Sequence, residues 1–209
     1  MAAVPSTAEE AKPFGSIFTM MISGGDWYGK ALDREDYAGS QFVDCDFTEL
    51  QTTGSTFSKC VFRNVKFNVS THTDGAFDGC RFESCSFFDS TFIGCRLTGS
   101  TFVNSTLVPL KVSAGNWSYV SFVRADLTSA EFSDVVLTEA DFTGANLTKA
   151  ALRNCRLSNV EWGGARLRDA DLRGSELGEL SMDNVQLRGA VIDVAQAMTI
   201  AEALGAVIQ

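Results

Sequence analysis

Ala140-Asp141-Phe142-Thr143-Gly144-Ala145-Asn146-Leu147-Thr148-Lys149 consists of two successive five-residue units. Each runs small residue, Asp or Asn, bulky apolar residue, then two small or polar residues. Outward from this stretch the bulky position recurs every five residues from Trp27 to Ile192 without a slip. Of its 34 occurrences 32 are apolar, Thr52 and His72 being the exceptions, and 13 of the 16 Phe lie on it. A repeat this strict decides the architecture before any local reading does.

Two residues before each bulky position lies a second column. From Cys45 to Ala190 it holds Ala, Ser, Cys or Gly, varied with Val or Leu, and no charge; all six cysteines fall in it. A small and a bulky side chain two apart point the same way from a short strand. The remaining positions are mostly polar, as solvated sides and turns require. Ten of the 14 Gly between residues 26 and 192 lie two residues after the bulky position, where a corner needs tolerance of unusual φ/ψ. A strand this short cannot bury its apolar pair alone, but stacked coils can. Phe42, Phe62, Phe82, Phe102, Phe122 and Phe142, continued by Trp162 and Met182, would stack in one ladder if four sides make a coil. The expected fold is therefore an all-β parallel β-helix, with His72 directly over or under Thr52.

Composition narrows the function. A chain of 209 residues fills one sizeable core, and a net charge of −9 argues against direct binding to nucleic acid or to an anionic membrane. No apolar run is long enough to span a bilayer. The run 14–22 lacks the basic lead-in and clear cleavage site of a signal peptide. Cysteines spaced in multiples of five, with no CxxC pair and one His, read as reduced core thiols rather than disulfides or a metal site. That points to a cytoplasmic protein. No metal, cofactor or catalytic set is expected. His72 is read as a polar core residue rather than a catalytic one, since no nucleophile or carboxylate pattern accompanies it.

Units such as Ala125-Asp126-Leu127-Thr128, Ala145-Asn146-Leu147-Thr148 and Ala170-Asp171-Leu172-Arg173-Gly174 resemble the A(D/N)LXX signature of the pentapeptide repeat family. The resemblance implies a right-handed quadrilateral parallel β-helix over 27–192. Flanking it would be an N-terminal extension, 1–26, disordered over 1–13 and folded over the first coil beyond, and a short C-terminal α-helix within 193–209. Within the family, the unbroken repeat, the change from Phe-rich to Leu-rich units, the Pro109 interruption and the ending Val191-Ile192-Asp193-Val194-Ala195-Gln196-Ala197 are similar to the MfpA and Qnr groups of fluoroquinolone-resistance proteins. The projecting loops of the Qnr group are absent.

That resemblance implies a homodimeric DNA mimic that binds DNA gyrase or topoisomerase IV and inhibits it, or protects it from quinolones or gyrase-directed toxins. The alternative is a passive protein-interaction scaffold. For a partner surface the sequence offers one acidic band, Asp126, Glu131, Asp134, Glu139 and Asp141, with no Lys or Arg between Arg124 and Lys149. Five charges on a rise of about 4.8 Å match or exceed the density of B-DNA, about one per 1.7 Å, although four sides spread them around the perimeter. At the C-terminus Asp193 reads as the N-cap of a helix over about 194–204 closed by Gly205. Val194, Ala197, Met198, Ala201 and Leu204 share one face of it. With Ile208, that face either covers the last coil or joins two rods end to end.

Overall fold

In the computed structural model, which describes residues 8–9, 20–178 and 185–208, the five-residue unit becomes one side of a square coil. Strands Met21–Ser23, Gln41–Val43, Val61–Arg63, Arg81–Glu83 and Thr101–Val103 stack in parallel on one face. Opposite them stack Ala31–Asp33, Gln51–Thr53, Thr71–Thr73, Ser90–Ile93, Leu110–Ser113, Glu131–Ser133 and Ala151–Arg153. The other two faces are held by single parallel bridges such as Asp26↔Asp46 and Asp36↔Thr56. Every pairing between coils joins residues 20 apart, for example Phe42↔Phe62↔Phe82↔Phe102, so four sides make one turn.

The bulky column fills the lumen. Phe42, Phe62 and Phe82 stack with ring centroids 4.9 and 5.0 Å apart, and the ladder continues through Phe102, Phe122 and Phe142 to Trp162 at 4.8 to 5.3 Å. Met182, the expected next rung, lies outside the described residues. Burying each ring contributes about 1.5–3 kcal/mol and each aromatic pair about 0.5–1.5 kcal/mol more. Cutting one ring therefore weakens two junctions at once.

The small column does more than leave room. Its thiols and hydroxyls donate to the carbonyl of a bulky residue one coil below: Cys60 Sγ to Tyr37 O at 3.0 Å, Cys80 Sγ to Phe57 O at 2.9 Å, Ser90 Oγ to Phe67 O and Ser175 Oγ to Leu152 O, both at 2.7 Å. These carbonyls carry a second lone pair that the backbone ladder leaves idle. Ala keeps the packing and gives up the bond, which is why all three residue types occur there.

Corners are tighter than the glycine pattern implied. From Gly24 to Gly174 every described residue two after the bulky position has a left-handed φ except Pro109, and twenty of these corners are not glycine. Many are Asp or Asn, which tolerate this region, but Val69 holds φ 57 with a β-branched side chain. The Asp or Asn before the bulky residue braces the turn. Asp46, Asp141 and Asn146 each accept the backbone N–H two residues on, at 2.9, 2.9 and 3.3 Å. This is the physical content of the Asp/Asn position in the signature.

Two expectations at the N-terminus need revision. The coil starts before Trp27, because Ile22 already occupies the lumen and Met21–Ser23 pairs with Gln41–Val43. Within the stretch expected to be disordered, Ala8–Glu9 forms a strand antiparallel to Met21–Ile22. An open strand edge exposes unpaired backbone groups, and this short strand covers some of them. Residues 1–7 and 10–19 lie outside the described region.

One junction departs from the rule. The bridge series Asp46↔Lys66↔Ser86↔Thr106 stops at Thr106 and resumes at Asp126↔Asn146↔Arg166. The other three faces stay paired across the same junction, through Thr101↔Ser121, Lys111↔Glu131 and Asn116↔Val136. Pro109, joined to Val108 by a cis peptide bond, sits on the open face.

Candidate interaction surface

The five acids of the band come from all four faces of the rod. Asp126 belongs to the face of Asp26 and Asp46, Glu131 and Asp134 to the next, Glu139 to the third, and Asp141 to the face of Thr101 and Ser121. Glu161 stands directly beyond Asp141 by the bridge Asp141↔Glu161 and extends the band by one residue. The sequence window had stopped at Lys149; the spacing of 20 would have found it.

Five of these six carboxylates lie in a stretch without Lys or Arg. Among the described residues none of them forms an ion pair. On the coils to either side several acids are neutralised in place, Glu83 by Arg63 and Arg81 at 3.0 and 2.6 Å, Asp78 by Arg96 at 3.0 Å, Asp89 by Lys111 at 2.7 Å, and Asp171 by Arg153 and Arg173, both at 2.7 Å. Nearer the N-terminal end Asp26, Glu35, Asp36, Asp44, Glu49 and Asp74 form no ion pair among the described residues, like the belt. The Arg173 and Arg153 guanidinium groups hold the Asp171 carboxyl well below the usual range, against a smaller opposing effect of desolvation.

Two of the band residues also serve the fold. Asp126 Oδ1 accepts from Thr128 N at 3.1 Å, Thr128 Oγ1 at 2.6 Å and Asn146 Nδ2 at 3.1 Å, while Asp141 Oδ1 accepts from Thr143 N at 2.9 Å. Glu139 accepts from the Tyr119 hydroxyl at 3.0 Å and remains exposed. Glu131 and Asp134 are exposed as well. The band is thus a belt of negative charge, part of it anchored by turn geometry.

At the C-terminal end, Asp193 caps helix Val194–Ala203 in a capping box with Gln196, and Gly205 closes it with φ 87. The helix docks by its polar residue. Gln196 is buried and donates through Nε2 to Leu172 O and to Ser175 O at 2.7 Å, while Asp193 Oδ2 accepts from Gly174 N at 3.1 Å. Ile200 covers the end of the lumen over Leu172, Leu177 and Leu187.

The apolar face read from the sequence therefore does not cover the coil. Val194, Ala197, Met198, Leu204 and Ile208 are exposed and Ala201 is half-buried. Periodicity showed which residues share a face but not which way that face turns. The Asp-x-x-Gln capping pattern was the signal for the docking side.

His72 lies fully buried in the lumen. Its Nδ1 is 2.9 Å from Thr52 Oγ1 and its Nε2 is 3.0 Å from Ser70 Oγ, a contact the sequence reading did not foresee. Burial holds the imidazole neutral, with its pKa lowered to about 3. A Ser–His contact invites a nucleophile reading, but this one is sealed between Phe67, Phe77 and Phe92 and open to no substrate. All six cysteines are free and buried, and the described residues contain no cluster of metal-ligating side chains. No helix among them is long and apolar enough to cross a membrane.

Residues 115–192 match the family model of the pentapeptide repeat region. A search of the curated proteins returned no significant match. Among solved structures, a trypsin-treated form of QnrB1, a plasmid-mediated fluoroquinolone resistance protein, superposes with a TM-score of 0.75 at 22% identity, over 90% of this chain and 95% of that one. HetL, a pentapeptide repeat protein involved in heterocyst differentiation regulation in the cyanobacterium Nostoc, superposes with a TM-score of 0.56 at 17% identity, over 82% and 86% of the two chains. At such identities the likeness is one of fold. Residues 115–192 thus form a pentapeptide repeat region, and the same five-residue frame and square coil continue back from it to Trp27.

Proposed function

We propose that the protein acts by binding, not by catalysis, as a stand-in for duplex DNA on a type II topoisomerase, DNA gyrase or topoisomerase IV. Occupying the enzyme's DNA-binding surface would inhibit it, or shield it from quinolones or gyrase-directed toxins. The observation that carries this reading is the belt Asp126, Glu131, Asp134, Glu139, Asp141 and Glu161, whose carboxylates have no ion-pair partner among the described residues. Acids left unneutralised on a rigid rod attract a basic surface and steer it over long range. QnrB1, whose fold the chain shares, is a fluoroquinolone resistance protein, which is the reason to name this enzyme class.

The face bearing Val194, Ala197, Met198, Ala201, Leu204 and Ile208 suits an end-to-end homodimer. A two-fold axis would bury the same patch on both copies and place an acidic belt on each side of it. Six free thiols suit a reducing, cytoplasmic setting.

A supercoiling assay with purified gyrase, with and without a quinolone, tests the proposal. Inhibition of supercoiling, or rescue of it from the drug, is expected at micromolar protein; no effect on either removes the reading. HetL gives a second reading some weight, because the same fold there belongs to a protein of differentiation control. A passive scaffold would recover partners other than gyrase subunits from a host lysate.

A further inference from the structure

The open junction beside Pro109 is a site in its own right. At neighbouring junctions along this corner three backbone hydrogen bonds recur. Ser84 N donates to Val103 O, Phe87 N to Thr106 O, and Thr106 N to Cys85 O, at 2.8 to 2.9 Å; one coil above the gap the same set runs Arg124 N to Thr143 O, Leu127 N to Asn146 O and Asn146 N to Ala125 O. The equivalents at the gap would be Asn104 N to Val123 O, Leu107 N to Asp126 O and Asp126 N to Ser105 O, and none of them forms. Pro109 has no N–H to offer Thr128 O, where Lys149 N and Lys59 N both donate at corners of this kind. Between the lips lies a notch of about 590 Å³ lined by Arg81, Asn104, Leu107, Val123, Arg124 and Asp126. That volume falls in the range of about 300–1,000 Å³ usual for ligand sites.

The chemistry of the lips identifies the class of occupant. Both present idle N–H donors and idle C=O acceptors in alternation, which a free anion or an apolar ligand cannot satisfy and a polypeptide main chain can. Phe102, Leu107 and Val123 add apolar wall between these polar groups. Arg124 makes no ion pair among the described residues, whereas Arg81 is engaged by Glu83. Asp126, on the same rim, already accepts from Thr128 and Asn146. We propose that this seam is a docking site for an extended, acidic peptide segment of a partner protein, its main chain pairing with the lips and a carboxylate meeting Arg124. The site shares Asp126 with the acidic belt but does not depend on a topoisomerase partner.

Fluorescence anisotropy with a blocked, fluorescein-labelled peptide Val-Glu-Val-Glu-Val, and its Lys counterpart as control, tests the proposal. Saturable binding of the Glu peptide is expected, with the Lys peptide weaker by on the order of tenfold or more and a comparable loss in Arg124→Glu. Pro109→Asn supplies an N–H and a residue that accepts the left-handed corner found at the other described corners, so it should close the seam and abolish binding. Amide exchange gives a readout that needs no variant. The Asn104, Leu107 and Asp126 amides should exchange faster than those of Ser84, Phe87 and Thr106, and slow when the Glu peptide is added. No saturable binding up to millimolar peptide, binding unchanged in both variants, or slow exchange at these three amides in the free protein would overturn the proposal.

Discussion

His72 Nδ1 sits 2.9 Å from Thr52 Oγ1, one coil below, where two polar residues replace apolar ones in the bulky column of the lumen. Ser70 Oγ holds the other ring nitrogen at 3.0 Å. Hydroxyls can donate or accept, so both nitrogens of a neutral imidazole are satisfied in either tautomer, and a protonated ring would have no counter-charge. The group is therefore neutral in the fold, its pKa lowered from 6.5 to about 3 by burial. The unfolded chain binds a proton between these values and the folded chain does not. Stability from this group is fully present above pH 6.5 and is lost as pH falls toward 3, by about 1.4 kcal/mol per unit. Denaturant titrations between pH 7 and pH 4 should show that slope in the native sequence. They should show it abolished in the pair Thr52→Val with His72→Phe, which removes both polar partners together.

Val69 offers a gain rather than a loss. It holds a left-handed corner with φ 57 while its side chain is exposed, so the strain is offset by little burial. Left-handed backbone costs an L-residue about 1–2 kcal/mol, and Asn relieves much of it. Val69→Asn should raise stability by about 1 kcal/mol, read as a shift of about 2–4 °C in Tm. An unchanged or lower Tm would show that the corner is not under strain.

How far the fold could be read from the sequence follows from which features are periodic. The ladder from Phe42 to Trp162 and the stacking of His72 on Thr52 were legible because a side of five residues and a coil of 20 fix every lumen neighbour in advance. The belt acids were legible as residues, but their freedom from ion pairs was not, because it depends on whether a Lys or Arg from the adjacent coil reaches across. Glu83 is met in this way and Glu131 is not. The open junction was the hardest to foresee. Pro109 announces one missing N–H, but nothing in the repeat announces the loss of three further backbone bonds on the same face. Left-handed corners at Asp, Arg and Lys were equally hidden, since coil closure imposes that conformation whatever the residue prefers.

The thiols should be silent in the folded protein. Burial raises the Cys85 thiol to about 12 and those of Cys95 and Cys155 to about 11, so almost no thiolate exists near neutral pH. A disulfide reagent added at pH 8 should modify none of the six cysteines in the folded state and all six in denaturant. Rapid labelling of the folded protein would mean that the coil opens readily.

The C-terminal face should govern assembly. Met198 and Leu204 are exposed, so charging them costs the monomer little, whereas two carboxylates in a small apolar contact oppose its closure. Met198→Glu with Leu204→Glu should shift a dimer to monomer in sedimentation equilibrium while Tm changes by no more than about 2 °C. A monomeric native protein, or a dimer indifferent to both changes, would place the interface elsewhere.

Competition for gyrase reads the DNA-mimic claim without passing through any drug. Labelled linear duplex is bound to the gyrase holoenzyme, and the native protein is titrated in beside a variant carrying Glu131→Lys, Asp134→Lys and Glu139→Lys. The native protein should displace the duplex completely and competitively, and more weakly as salt rises, and the charge-reversed variant should fail. Simultaneous occupancy of gyrase by the duplex and this protein, or equal displacement by native and reversed belts, would contradict the account.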